Sequence, residues 1–259
     1  MVDLSFSMAE LEYFLLILVR VTCFVYAAPF FGMANTPNRV KIGVGVLLGV
    51  TVYYGLEPIP VAYATVLEFA ILVIKEALVG LIIGFSASIC TAVLGFAGQL
   101  VDMETGLSMV TLFDNMTRDS MTITGMYYQY IIMLMLILSG LYQFVAGALF
   151  SSFALVPVSG AIFSGEKLFS GMLLFLTEYI SIGFRISLPV FAAIMLLDAV
   201  LGILTKVSPQ LNMFAVGIQL KILTGLAVLF LTVAMLPSAS SMLLSHMRKV
   251  VTVFIEAMT

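Results

Sequence analysis

Residues 77–101 read ALVGLIIGFSASICTAVLGFAGQLV, a stretch that contains no charged side chain. The hydrocarbon core of a bilayer is about 30 Å thick, and a helix needs about 20 consecutive apolar residues to cross it. Because this stretch is long enough to do so, we expect it to be helical and to lie in a membrane. The fold class that it predicts is all-α.

The composition of the whole chain supports the same interpretation. Of its 259 residues, 62% are hydrophobic and 10% are charged, whereas a soluble domain has about 25% charged residues. So few charges cannot cover a water-facing surface, which excludes a cytosolic enzyme and a disordered scaffold. The net charge of -3 provides no basic surface for nucleic acid. We therefore predict an integral membrane protein in contact with lipid.

Apolar stretches bounded by charges or turn residues predict about six long apolar helices. The first stretch is followed by Arg39 and Lys41, and the positive-inside rule places that loop in the cytoplasm. The stretches lie at 11–31, 42–56, within 61–101, and at 122–150, 169–205 and 213–235.

Charged side chains interrupt several of these stretches. A charge at the centre of a bilayer costs about 2.5–3.5 kcal/mol on insertion scales. Each such charge needs a partner on another helix, unless its segment does not span and the charge faces water. Both interpretations are open, as is a role in proton relay. The intramembrane charges are Arg20, Lys75, Glu76, Glu178, Arg185 and Asp198.

Small residues recur every four positions within the uncharged stretch. Gly80, Gly84 and Ser88 share one helical face. In lipid, such a face allows two helix backbones to approach closely. The pattern fits packing within the chain and also contact with another subunit.

No set of catalytic or metal-binding residues stands out. His246 is the only histidine, and it stands beside Arg248 and Lys249 near the C-terminus. Zinc-protease, nucleotide-binding and serine-hydrolase motifs are absent from the sequence. We therefore predict no enzyme activity, no metal and no cofactor.

Two stretches of the chain have a distinctive sequence. The first is Gly98-Gln99-Leu-Val-Asp-Met-Glu-Thr-Gly106-Leu-Ser108, which continues to Phe113-Asp114. The second contains Pro189, Leu201, Gly202, Lys206, Pro209, Gln210, Asn212, Gly217, Lys221 and Gly225. Both stretches resemble the FliR family of bacterial export proteins. With Arg20 and the early Pro37-x-Arg39-x-Lys41 spacing, the resemblance covers essentially the whole chain.

This resemblance implies a core subunit of a type III export gate, flagellar or virulence, with the flagellar type preferred. It implies a multi-pass location in the bacterial inner (cytoplasmic) membrane at the flagellar basal body. A FliP-like portion at residues 1–165 would precede a FliQ-like helical hairpin and tail at 166–259. The implied partners are FliP-like and FliQ-like membrane subunits, an FlhB-like subunit at the cytoplasmic entrance, and unfolded export substrates.

The resemblance also implies a plug loop at residues 106–119 that obstructs the protein-conducting path. Two other functions are open: a stand-alone secondary transporter, which should contain two repeated halves, and a non-conducting membrane scaffold. The transporter would use Glu76, Arg185 and Asp198 as ion or substrate groups. The plug residues are Gly106, Met109, Val110, Leu112, Phe113 and Asp114.

Overall fold

A computed structural model of the chain describes residues 8–29, 31–32, 36–57, 61–109, 122–208 and 213–259. Regular structure in these ranges is helical, and they contain no strand. The helices are α1 Met8–Ala27, α2 Asn38–Gly55, α3 Val66–Ala87, α4 Ile89–Thr105, α5 Ile123–Leu138, α6 Leu141–Leu155, α7 Gly165–Val207, α8 Met213–Thr232 and α9 Leu236–Glu256. A 3-10 turn, Val233–Met235, connects α8 to α9.

The all-α prediction is confirmed, but the count of six helices is not. The third apolar stretch is divided at Ser88, where α3 ends and α4 begins one residue later. The fourth is divided at Ser139 and Gly140, and α5 and α6 meet there at 67°. Gly140 has a φ of +86°, a left-handed conformation that glycine adopts without steric cost. Breaks of one or two residues leave average hydropathy almost unchanged, so the sequence pattern does not reveal them.

The helices include segments that fit a bilayer. Within the described residues, the 43-residue α7 and the 41-residue run Val216–Glu256 are long and apolar enough to cross a membrane, and the bent α5–α6 pair together is a third candidate. In the most apolar windows of the two long helices, only 22% and 17% of residues are buried within the chain. Most of these apolar side chains therefore need lipid or another protein chain as a neighbour.

Contacts within the chain define two compact units. The first unit comprises Met1–Ile89, Gly140–Phe175 and His246–Thr259, and the second comprises Cys90–Ser139 and Leu176–Ser245. In the first unit α1 packs against both α2 and α3, with Leu16, Ile17 and Val21 fully buried. In the second unit the Phe96 ring of α4 stacks on Tyr179 of α7, with centroids 5.0 Å apart.

Candidate gate segment

The predicted plug loop follows α4 in the chain and precedes α5, and apart from Ile89 these two helices belong to the second unit. Gly106 follows the last residue of α4 with a φ of +82°, and this left-handed glycine is a common way to end a helix. The Met109 N–H donates to the Gly106 carbonyl over 3.2 Å, which forms one short turn. The Met109 side chain is 46% exposed. The other predicted plug residues, Val110, Leu112, Phe113 and Asp114, lie outside the described residues.

Asp102 connects the two helices that flank this loop. Its side chain is fully buried one turn before the end of α4. One carboxylate oxygen accepts the Thr124 N–H over 3.0 Å, and the other accepts the Thr124 hydroxyl. The Thr124 N–H is in the first turn of α5, where the helix itself offers no acceptor. The Asp102 carboxylate on α4 therefore accepts one of the N–H groups in the first turn of α5 that lack a helical partner. The helix dipole also favours a negative charge at this end of a helix.

Two glycines bring the same helices into backbone contact. A Cβ added at Gly98 would overlap the backbone of Gly125 and Thr124. Gly125 in turn donates its N–H to the Thr122 hydroxyl, the N-cap of α5, over 3.3 Å. Gly98 therefore has to be a glycine for α4 to approach α5 this closely, whereas its neighbour Gln99 is exposed.

Helix α8 reaches the end of α4, and an ion pair connects α8 to α7. A Cβ added at Gly225 would overlap the side chain of Thr105, which is buried at the last position of α4. One turn earlier on α8, Lys221 Nζ lies 2.8 Å from Asp198 Oδ2 on α7. This ion pair is partly exposed, with 26% of the lysine and 39% of the aspartate side chain accessible. We call Gly98, Asp102, Thr105, Thr124, Gly125 and Gly225 the loop base.

A second ion pair lies in the first unit. Arg20 on α1 and Glu76 on α3 are both fully buried, and Arg20 Nε lies 2.5 Å from Glu76 Oε2. A second guanidinium nitrogen donates to Glu76 Oε1 over 3.0 Å, so the pair is bidentate.

Backbone groups after the end of α6 form further hydrogen bonds with this pair. The third guanidinium nitrogen of Arg20 donates to the Val156 carbonyl over 2.8 Å, and the Ser159 N–H donates to Glu76 Oε1 over 2.9 Å. The guanidinium also lies over the Phe153 ring, 4.3 Å from its centroid. Two predicted intramembrane charges are thus each other's partners, in an arrangement that neutralises both.

The remaining predicted intramembrane charges have different environments. Lys75 is half-buried beside Glu76, and Glu178 is buried. Arg185 is exposed, and its guanidinium approaches the Met242 sulfur at 3.5 Å. The structure therefore unites Arg20 with Glu76 and Asp198 with Lys221, but it does not gather the predicted charges into one cluster.

The small-residue face of α3 packs against α1. A Cβ at Gly80 would overlap the Arg20 carbonyl, and one at Gly84 would lie 2.7 Å from the Ala27 Cβ. Ser88 follows the last residue of α3 as its C-cap. The close approach at Gly80 also places Glu76, one turn earlier, beside Arg20.

The other residues that carry the family resemblance are dispersed. Pro189 lies inside α7, and Lys206 is exposed in its last turn. Pro209, Gln210 and Asn212 lie outside the described residues.

The role of Asp102 was not foreseen from the sequence. The signal was present, because Asp102 is the first charged residue after the uncharged stretch 77–101 and lies within the first family-like stretch. Its partner Thr124 is 22 residues away, a separation that no helical or strand period predicts. Among the described residues, no three histidine, cysteine, aspartate or glutamate side chains are grouped as a metal site would require.

Comparison with known proteins gives one consistent result. The family model described as bacterial export proteins, family 1, matches residues 11–247. The chain is 30% identical over 225 residues to the flagellar biosynthetic protein FliR of Bacillus subtilis (strain 168), covering 86% of each chain. It is 28% identical over 241 residues to the protein of the same name from Aquifex aeolicus (strain VF5), covering 92% of each. Both names describe a protein of flagellar biosynthesis.

Proposed function

The chain belongs to the FliR family of bacterial export proteins, and we propose that it helps to form the flagellar export gate and closes it with the loop 106–119. As a family member it is a membrane-embedded component of flagellar protein export. The finer proposal assigns the loop a steric task. It obstructs the path of unfolded substrate proteins and moves aside when the gate opens.

The observation that carries this proposal is the link from Asp102 to Thr124. It holds together the end of α4 and the start of α5, the two helices that flank residues 106–121. The sequence of the predicted plug loop contains Met109, Val110, Leu112 and Phe113. Flexible thioether and apolar side chains fill irregular gaps well. A short anchored loop with such side chains suits a seal that must yield and then close again.

We further propose that the chain acts in an assembly in the inner membrane. Its partners would be FliP-like and FliQ-like membrane subunits, with an FlhB-like subunit at the cytoplasmic entrance. The proposal divides the chain into a FliP-like portion at 1–165 and a FliQ-like portion at 166–259. The low buried fraction of the two long apolar helices supports such neighbours, because lipid-facing and partner-facing helices both require uncovered apolar surface.

Replacing residues 108–119 by a short Gly-Ser linker tests the plug. The variant keeps Gly106 and the loop base, so α4 and α5 should still meet. We expect the gate, co-expressed with its partner subunits and verified by the mass of the complex, to leak ions and small solutes. A second variant keeps the original loop length but carries polar side chains, which separates the effect of loop length from the effect of side-chain chemistry. We expect this variant to leak as well, because it lacks the apolar side chains of the seal.

Two outcomes would contradict the proposal. A complex of unchanged mass that stays tight after the replacement would show that the loop does not close the path, as a non-conducting scaffold would require. A chain that is fully functional as a monomer would contradict the assembly, in favour of a stand-alone transporter.

A further inference from the structure

A cavity of about 260 Å³ lies in the second unit, where a proline interrupts one helix and a 3-10 turn precedes another. Pro189 of α7 lines one side of it, and the 3-10 turn between α8 and α9 lines the other through Met235. Proline has no N–H, so the helical hydrogen bond to the Arg185 carbonyl cannot form. The cavity is open on one side and its lining is mainly apolar. Arg185 contributes the one charged side chain among its described lining residues.

Two groups that line this cavity, the Tyr128 hydroxyl and the Arg185 guanidinium, can still donate hydrogen bonds. The Thr232 hydroxyl already donates to the Leu229 carbonyl over 3.0 Å, and the Ser238 hydroxyl donates to the Met235 carbonyl of the 3-10 turn over 2.8 Å. Tyr128 is 2% exposed, and its hydroxyl has no hydrogen-bond partner among the described residues. The Arg185 guanidinium contacts the Met242 sulfur alone among the described residues, and a thioether is a weak acceptor. Both groups can therefore donate to a ligand in the cavity, and a guanidinium without an anionic partner favours an anionic ligand.

The position of Arg185 along α7 indicates the depth in the bilayer at which this ligand binds. Ile186–Thr205 contains one charged residue, Asp198, and the stretch is bounded by Arg185 and Lys206. Twenty helical residues extend about 30 Å, the thickness of the hydrocarbon core. Since Asp198 is paired with Lys221, the stretch can span with its two flanking cations at the headgroup levels. Lipid phosphates lie at that level.

We propose that this cavity binds an anionic phospholipid, with the phosphate held by Arg185 and Tyr128. The planar guanidinium donates two parallel hydrogen bonds to phosphate oxygens, and the tyrosine hydroxyl supplies a third donor. The apolar walls around Ile186 and Leu236 accommodate the first methylene groups of an acyl chain. With one positive charge and no carboxylate among the described lining residues, the site favours a lipid of net negative charge over a zwitterionic one.

Native mass spectrometry of the full chain in detergent tests this site, with dioleoylphosphatidylglycerol as the anionic probe and dioleoylphosphatidylcholine as the zwitterionic one. The wild type should retain the anionic lipid more tightly. Arg185→Gln should weaken that binding about tenfold, the effect of losing a charge-assisted hydrogen bond. Tyr128→Phe should weaken it about threefold. Arg248→Gln is the matched control, because Arg248 is also exposed but lies over the Phe144 ring in the first unit.

Several results would overturn the proposal. They are unchanged binding in both Arg185→Gln and Tyr128→Phe, equal loss in Arg248→Gln, or equal affinity for the two lipids. Inorganic phosphate that binds as tightly as the anionic lipid would identify a free anion as the ligand. Loss of partner subunits from the complex in Arg185→Gln, with lipid binding intact, would identify an acidic residue of a partner as the occupant. The proposal does not depend on the plug, so a tight gate after loop replacement would leave it standing.

Discussion

Two ion pairs among the described residues differ in how far they are shielded from solvent. Arg20 and Glu76 are fully buried, and backbone groups from 156–159 complete their hydrogen bonds. Asp198 and Lys221 form a single contact and stay about one-third exposed. The first pair fixes three chain segments in one arrangement. The second pair joins two helices one turn from the loop base and leaves its charges accessible.

This difference separates a fixed part of the chain from a part that can adapt. Removing one partner of a fully desolvated pair leaves an uncompensated charge, whereas an accessible pair can exchange its partner for water. The first unit therefore has the properties of a rigid support. The accessible pair belongs to the second unit and lies one turn from the loop base.

The largest effect is expected from Glu76→Gln. It keeps the size of the side chain but leaves the Arg20 charge buried, which destabilises a protein by about 3–5 kcal/mol. Unfolding in mixed detergent micelles measures this loss, and membrane abundance should fall with it. Lys75→Gln is the control, because this neighbouring lysine is half-buried and forms no ion pair among the described residues. A loss below about 1 kcal/mol, the range of exposed pairs, would remove the contrast between the two units.

An intermediate effect is expected at the loop base from Asp102→Ala. The substitution leaves the buried Thr124 N–H without its acceptor, and a hydrogen bond to a charged group contributes about 1.5–3 kcal/mol. Hydrogen exchange at Thr124 and Gly125 should accelerate, and protease cleavage within 106–121 should become faster. Thr124→Ser keeps both hydrogen bonds and should behave as the wild type. Equal exchange in Asp102→Ala and Thr124→Ser would show that the carboxylate does not anchor the loop.

The sequence was sufficient for the fold class because hydropathy alone dictates it. A chain with so few charges lies in lipid, where its backbone polar groups can be satisfied only in helices or closed barrels. Uncharged stretches such as 77–101 have the length that a helix needs to cross the bilayer. Helix ends were less predictable. The break at Ser88 changes neither hydropathy nor the small-residue spacing, and the Gly140 break depends on a backbone conformation that glycine permits but does not require.

The sequence could not identify which charged residues pair with each other, and the reason is geometric. Arg20 and Glu76 are 56 residues apart, and helical periodicity specifies which residues share a face but not which helix that face contacts. Gly80 was the useful signal, because a glycine face allows close approach of another helix and Arg20 lies opposite it. At the loop base the corresponding signal was Gly98, whose close contact is with Gly125. Glycines thus indicated where helices approach, and the structure identified the approaching helix.

The smallest effect is expected from the Asp198–Lys221 pair, and it tests the comparison most directly. Because both side chains are partly exposed, a double-mutant cycle with Asp198→Asn and Lys221→Gln should give a coupling energy of about 0.2–1 kcal/mol in the detergent-solubilised chain. High salt should reduce it further, since exposed charges are screened. The same cycle in the assembled complex distinguishes two states of this surface. A coupling energy that rises to several kcal/mol there would show that a partner subunit covers the pair, because desolvation strengthens the interaction between charges. An unchanged value would show that the pair stays accessible in the assembled complex.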